Sequence, residues 1–490
     1  MRAGTRFGLV MLAVSVSSCA ANPGLPTQTS ATTTPDSTST ASDSDCPSLG
    51  ESPGAPGLDD PVFPLLGNGG YDVLHYRLQL SIDPGRNHLA AAVTIEALAT
   101  QGLTAFNLDF AGPEVDQVMV DEETAPFCRV GGELVVVPAH PIADEEEFEV
   151  LVSYAGSPEP LVRPGAPGPE GWVHISEERI VAGGLWGAET AFLSVNATNR
   201  DKATFFMEIS VPKPLGVAAT GRLVEVVDNE ESTTYVWASE VPTPTSRILI
   251  TTGRFEQESL EGPGGLLIQY QMPPESPPDL RADLEKTATI IEALTPLLGP
   301  FPFETLGFTS VPDSPETTAI SGQNRILILG LDRLGDRDLA HEIGHQWFGN
   351  SVTPATSQDD WLSEGLATFV ESLWLEANLG SFQRDVLPRI WLGRLRDETR
   401  PLGIVDSPEQ LGDFVTYLRG GATLHALRLE VGDESFFGIL QQYVSRFRHA
   451  AAATEDFVEI AEEVSGRDLT DFFETWLYEE TVPEIPGLGS

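Results

Sequence analysis

The run Asp338-Leu339-Ala340-His341-Glu342-Ile343-Gly344-His345-Gln346-Trp347-Phe348-Gly349 holds the residues best suited to chemistry. On a helix, His341 and His345 stand at i and i+4 on one face, so both imidazoles can meet one Zn²⁺. Glu342 follows the first histidine, and its carboxylate can reach a water beside the metal rather than the metal itself. A catalytic zinc takes three protein ligands and keeps one position open. The run Asp360-Trp361-Leu362-Ser363-Glu364-Gly365-Leu366-Ala367-Thr368-Phe369-Val370-Glu371 reads as a neighbouring helix, and Glu364, 19 residues after His345, is the expected third ligand. Glu371 falls two turns further on nearly the same face, where a carboxylate can hold a ligand histidine in its correct tautomer. The expected centre is one Zn²⁺ per chain with Glu342 as general base, which is hydrolytic chemistry. A structural zinc would close with a fourth protein ligand, often cysteine, and none stands near in sequence.

These residues need helices, and the surroundings supply them. Leu334, Ala340 and Ile343 are apolar at helical spacing, and proline is absent until Pro354. Upstream, Leu280 to Leu298 reads as one helix, with Ile290, Ile291, Leu294, Leu297 and Leu298 on an apolar stripe, stopped by Gly299-Pro300-Phe301-Pro302. Two or three strands follow, ending at Ile326-Leu327-Ile328-Leu329, and the chain is mostly helical from Leu331. Before Pro277 the period is two. Strand-like runs cover Tyr71 to Leu80, Ala91 to Leu98, Leu134 to Val137, Phe148 to Tyr154, Phe205 to Val211, Tyr235 to Ala238 and Arg247 to Thr252, separated by turns such as Asp83-Pro84-Gly85. The expected fold class is α+β in two domains: an all-β domain over 61–255 and a mostly helical catalytic domain over 256–490.

The chain of 490 residues is long enough for that pair of cores. Its net charge of −45 and pI near 4.3 argue against nucleic acid or an anionic membrane surface as partner. Lysine occurs only at Lys202, Lys213 and Lys286. The first residues read as an export signal. Arg2 and Arg6 precede the short apolar run Phe7 to Val16, and Val16-Ser17-Ser18-Cys19 resembles a bacterial lipobox, in which the cysteine is lipidated. A plain signal cleaved near Ala20-Ala21 is the alternative. Residues 1–19 are thus expected to be removed up to a lipid-anchored Cys19. Residues 20–60, rich in Ser, Thr and Pro, are expected to form a disordered tether. The protein is then a monomeric lipoprotein at a bacterial surface or facing the periplasm, held to the membrane by acyl chains alone. Cys46 and Cys128 could pair in that oxidising compartment.

At His341 to Asn350, HEIGHQWFGN, the chain resembles the aminopeptidase N family of gluzincin metallopeptidases. Trp361-Leu362-Ser363-Glu364-Gly365 matches the family's WLNEG-like run with Ser for Asn, and Tyr417-Leu418-Arg419-Gly420 its YxKG-like motif. The resemblance implies an N-terminal β saddle from Tyr71, a thermolysin-like zinc domain closing over Leu411 to Pro486, and peptide substrates. It gives Tyr417 the role of stabilising the oxyanion, and it places no large C-terminal helical domain in this chain. Two departures touch substrate reading. The family's GAMEN run becomes Ile320-Ser321-Gly322-Gln323-Asn324, so Ser321, Gly322, Gln323 and Asn324 are the expected substrate-binding edge with Gln replacing the glutamate that grips a free amine. The DEP-like turn becomes Ala197-Thr198-Asn199, and the upstream polar position falls near Leu185. Gln323 can still accept from an ammonium, more weakly without charge. An aminopeptidase is therefore expected. The alternatives are a metallopeptidase with a relaxed N-terminus requirement and a peptide-binding lipoprotein without turnover.

Overall fold

A computed structural model of the chain describes residues 46–162, 168–485 and 488. The alternation in Tyr71–Asp83 puts Val73, Tyr76, Leu78, Leu80 and Ile82 on one buried face, with a register shift between Val73 and His75. This strand lies inside an eight-stranded sheet. The order is Arg222–Asp228, Ser232–Thr243, Ala203–Pro212, Tyr71–Asp83, His88–Ala99, Glu147–Gly156, Val115–Val120 and Glu123–Thr124. A four-stranded sheet, ordered Gly216–Ala219, Ile250–Gly253, Arg179–Gly183 and Gly171–Ser176, shares one apolar core with it.

The second half opens with a five-stranded mixed sheet, ordered Glu256–Glu261, Leu267–Met272, Thr305–Val311, Arg325–Leu329 and Thr318–Gly322. Helices α1 (Pro278–Leu284) and α2 (Thr287–Leu298) precede most of its strands. After it come α3 (Asp336–Gly344), α4 (Trp361–Leu379), α5 (Val386–Arg394), α6 (Phe414–Val431), α7 (Asp433–Arg446), α8 (Thr454–Ser465) and the single turn α9 (Thr470–Phe473). A second apolar core joins these helices to the sheet. The two-domain α+β arrangement, an all-β part followed by a mostly helical one, is the expected fold class. No described helix is long and apolar enough to cross a membrane.

Three expectations are corrected. The helix read over Leu280 to Leu298 is two helices. The Asp283 carboxylate turns away to accept from Arg333 and from Leu334 N, and the Thr287 hydroxyl donates to Leu284 O. Arg247 is not in a strand: Thr245–Arg247 is a 3₁₀ turn ahead of Ile250–Gly253. The tether expected over 20–60 is part of the packed molecule from Cys46 onward. Cys46 is disulfide-bonded to Cys128, Gly54 N donates to Ala105 O at 2.8 Å, and Asp60 accepts from Ser357 N at 2.8 Å. Cys19 and the expected signal lie outside the described residues.

The halves are locked by apolar and ionic contacts. Val181 and Leu249 pack on Val311, Leu327 and Leu329, and Arg179 pairs with Asp313 and with Glu275, the latter at 2.9 Å. Within the helical half, backbones meet directly. A Cβ on Gly365 of α4 would lie 2.8 Å from Gly420 Cα of α6, and one on Gly420 would lie 2.7 Å from Gly365 Cα. We predict that Gly420→Ala lowers stability by about 1–3 kcal/mol, since α4 and α6 must separate. Gly393→Ala in α5, where an added Cβ meets nothing within 4 Å, should be neutral or stabilising by up to about 1 kcal/mol. Thermal melts of the two variants check both expectations.

Candidate metal centre

Helix α3 begins with Asp336 and Asp338 in its first turn, where negative charge suits the helix dipole. Its regular part ends at Gly344. His345 keeps helical angles (φ −58°, ψ −21°), and its amide still donates to His341 O at 3.1 Å, so the i, i+4 relation survives. The two Nε2 atoms face each other at 3.1 Å, with the rings nearly perpendicular. Glu364, in the first turn of α4, brings Oε2 to 3.4 Å from His341 Nε2 and 3.3 Å from His345 Nε2. Close packing sets the approach of α4 to α3, with a Cβ at Gly344 meeting Val370 Cβ at 3.1 Å.

The other ring nitrogens are occupied. His341 Nδ1 lies 3.1 Å from Glu371 Oε1, and Arg337 Nε holds the other Glu371 oxygen at 3.1 Å. His345 Nδ1 is 3.1 Å from Phe348 O. With Nδ1 as donor in both rings, both Nε2 lone pairs aim at Glu364 Oε2, which is buried and has no hydrogen-bond donor. Three acceptors this close need a cation among them. Ligands at about 2.0–2.1 Å from a tetrahedral zinc stand roughly 3.3 Å apart, so His341, His345 and Glu364 fit that metal and form the one such metal-holding group among the described residues.

Electrostatics follow the geometry. Burial opposes the charge on Glu364, but the two histidines hold its carboxylate well below the ordinary 4.5. Burial would keep His341 neutral, yet the carboxylates of Glu364, Glu371 and Glu342 lift its pKa well above 6.5. Glu342 is pushed up from 4.5 by burial and by Glu364 and Asp338, with both histidines pulling the other way. That direction suits a group that must take and return a proton. Tyr417 stacks over the His341 ring, with centroids 5.7 Å apart and planes 19° apart.

The expected substrate edge divides. The Ser321 hydroxyl donates to Glu342 O at 3.1 Å and accepts from Gln346 and Asn350. Gly322 O accepts from Asn350 at 2.9 Å. The Asn324 side chain accepts from Gly221 N and donates to Thr305, each pair at 2.8–2.9 Å. The polar groups of Ser321 and Asn324 and the Gly322 carbonyl are therefore engaged within the fold. Gln323 differs. Its Nε2 donates to Thr243 Oγ1, and its buried Oε1 has no donor.

The sequence reading missed several residues that act across the junction. Gln346 and Asn350 tie the end of the ligand segment to the 321–324 turn. The Lys202 ammonium donates to Ser351 O at 3.0 Å. Glu189, rather than a group at Leu185, is the buried acid there, accepting from Thr245 at 2.7 Å. Arg247 and Asp360 are buried beside Glu364. No local signal marks any of these. We predict that Glu371→Gln, which leaves all three ligands in place, weakens zinc binding about 10–100-fold in a chelator competition titration.

Residues 337–476 match the family model described as the peptidase family M1 domain. Among curated relatives, Aminopeptidase M1-C of Oryza sativa subsp. japonica is 30% identical over 156 residues, 30% of this chain and 18% of its own length. The chain thus spans under a fifth of the length of the first curated relatives it matches. Among solved structures, the M1 zinc metallopeptidase from Deinococcus radiodurans superposes with a TM-score of 0.81 at 28% identity, covering 88% of this chain and 99% of that one. A mutant of that protein bound to a Tyr-Ser-Ala substrate gives a TM-score of 0.82 with the same identity, covering 88% of this chain and 100% of that one. The chain thus carries a peptidase family M1 domain within its helical half, shares the two-domain build of a solved M1 zinc metallopeptidase, and holds a His–His–Glu centre fit for zinc.

Proposed function

We propose that the protein is a zinc-dependent aminopeptidase that removes N-terminal residues from peptides. The observation that carries this reading is the convergence of three ligand atoms in the segment that holds Glu342, whose carbonyl is tied to the Ser321 hydroxyl of the turn that also carries Gln323. Zinc bound by His341, His345 and Glu364 supplies Lewis-acid activation of water and of the scissile carbonyl. Glu342 accepts a proton from the attacking water and delivers it to the leaving amine as the C–N bond breaks. Tyr417 donates a hydrogen bond to the carbonyl oxygen as it gains charge. Gln323 Oε1 receives a hydrogen bond from the substrate ammonium. The peptide-bound structure of the Deinococcus relative, and the aminopeptidase names of the curated ones, support the same substrate class.

We further propose that the enzyme works outside the cytoplasm, anchored by lipid at Cys19. The Cys46–Cys128 disulfide supports an oxidising location. Loss of the protein from the membrane pellet in Cys19→Ala cells would support the anchor, and unchanged pelleting would contradict it.

Hydrolysis is tested on free-amino peptides and their acetylated twins. The expected result is chelator-sensitive release of single N-terminal residues from the free peptides alone. Glu342→Gln should lower kcat by about 10²–10⁴-fold while zinc stays bound. Equal cleavage of the acetylated twins would favour the relaxed peptidase that the neutral Gln323 amide allows.

A further inference from the structure

Tyr417 stands in the first turn of α6, where a helix is held least by its own hydrogen bonds. Its amide reaches Asp413 O at 3.4 Å, and its ring stacks over His341 with centroids 5.7 Å apart. The turn is fixed from outside the helix. Asp413 Oδ1 accepts from Val415 N and from Thr416 N, each at 3.0 Å, so the carboxylate satisfies two amides that have no partner within α6. The hydroxyl end of Tyr417 lies beside the same segment. Gly412 has φ +62°, and a Cβ there would lie 3.9 Å from Tyr417 Oη.

Arg400, in the loop between α5 and α6, holds that cap. Its Nη2 donates to the capping oxygen of Asp413 at 2.6 Å and to Thr416 Oγ1 at 3.1 Å. Its Nη1 donates to Pro401 O at 3.2 Å and reaches Ile404 O at 3.5 Å, so one guanidinium gathers the loop and the start of α6. Both partners of the ion pair are mostly out of water, with side chains 13% and 24% exposed, and a charge-assisted bond keeps its geometry there. Arg419 fixes Arg400 in turn. Fully buried, it donates to Arg400 O and to Trp476 O, each at 2.9 Å, and to Glu479 O at 2.6 Å.

Among the described residues, the hydrogen bonds of Arg400 go to the loop and the cap, and none goes to a zinc ligand. Losing its side chain therefore leaves His341, His345 and Glu364 with their partners and loosens the turn that carries Tyr417. A hydroxyl that stabilises an oxyanion must stand about 3 Å from it, and a misplacement of about 1 Å can cost roughly 10²-fold in rate. Resting on the aminopeptidase reading above, in which Tyr417 meets the carbonyl oxygen, we propose that Arg400 is a positioning residue for the reaction. Through Asp413 it sets where the Tyr417 hydroxyl stands.

The test measures kcat and KM for a free-amino leucyl peptide, and zinc affinity by chelator competition, on the zinc-loaded wild type, Arg400→Gln, Arg400→Lys, Tyr417→Phe and the double variant Arg400→Gln/Tyr417→Phe. Arg400→Gln should lower kcat by about 10–100-fold, with KM within about twofold and zinc affinity unchanged. Arg400→Lys should regain part of that loss, since a cation can still reach Asp413. The double variant should be no more than about twofold slower than Tyr417→Phe alone, because Arg400 acts through the missing hydroxyl. If Arg400→Gln does not fold, Asp413→Asn, which keeps a capping oxygen without the charge, takes its place in the same cycle. An equal loss with and without the Tyr417 hydroxyl overturns the proposal, as does a loss in KM or zinc affinity with kcat retained. So does a Tyr417→Phe variant as fast as the wild type. Absence of turnover by the wild type overturns the aminopeptidase reading and this proposal with it, whereas wild-type turnover with additive losses overturns this proposal alone.

Discussion

Helices α4 and α6 touch backbone to backbone where Gly365 meets Gly420. A side chain at either position would force the helices apart, and the functional groups depend on that distance. Glu364 immediately precedes one glycine, and Tyr417 stands one turn before the other. On the other flank of α4, Gly344 admits Val370, which brings the histidines of α3 within reach of Glu364. Small residues at two crossings thus convert helix packing into ligand geometry. Those groups are held with little freedom, as a pre-organised centre requires.

The second constraint lies between the halves. Gln346 and Asn350 follow the ligand histidines and reach back to the 321–324 turn, while Lys202 reaches across from the β half to the same segment. Arg325, behind that turn, is fully buried. It donates to Ala219 O at 2.9 Å and lies over Trp237, and burial lowers its pKa to about 9. Such joints are expensive to leave unsatisfied, so the two halves are held in one arrangement. The 321–324 turn is therefore held by both domains, with Gln323 anchored through Thr243 to the β sheet.

Much of this was legible because its signals are local. The period-two run from Tyr71, the period change after Pro277 and the spacing of His341, His345 and Glu364 each follow from backbone geometry over a few turns. What escaped depends on partners far apart in sequence. Asp283 breaks a helix because Arg333 and Leu334 lie beside it in space. Residues from Cys46 onward lack the apolar content to order themselves, and take order from a disulfide and from the Asp60–Ser357 contact. Arg247 reads as the start of a strand, yet it belongs to a turn whose hydrogen bonds go to Glu189, Asn199 and Gln323. For the same reason the engagement of Ser321 and Asn324 within the fold was hidden, since their partners Gln346, Asn350 and Gly221 declare themselves only in the folded chain.

The central claim is that close helix packing builds an open three-ligand zinc centre. Anomalous diffraction at the zinc edge, on crystals of the full chain grown with one equivalent of zinc, tests it most directly. The account predicts a single peak within about 2.0–2.2 Å of His341 Nε2, His345 Nε2 and a Glu364 oxygen, with no fourth protein ligand. A peak elsewhere, or a fourth side chain closing the site, would contradict it.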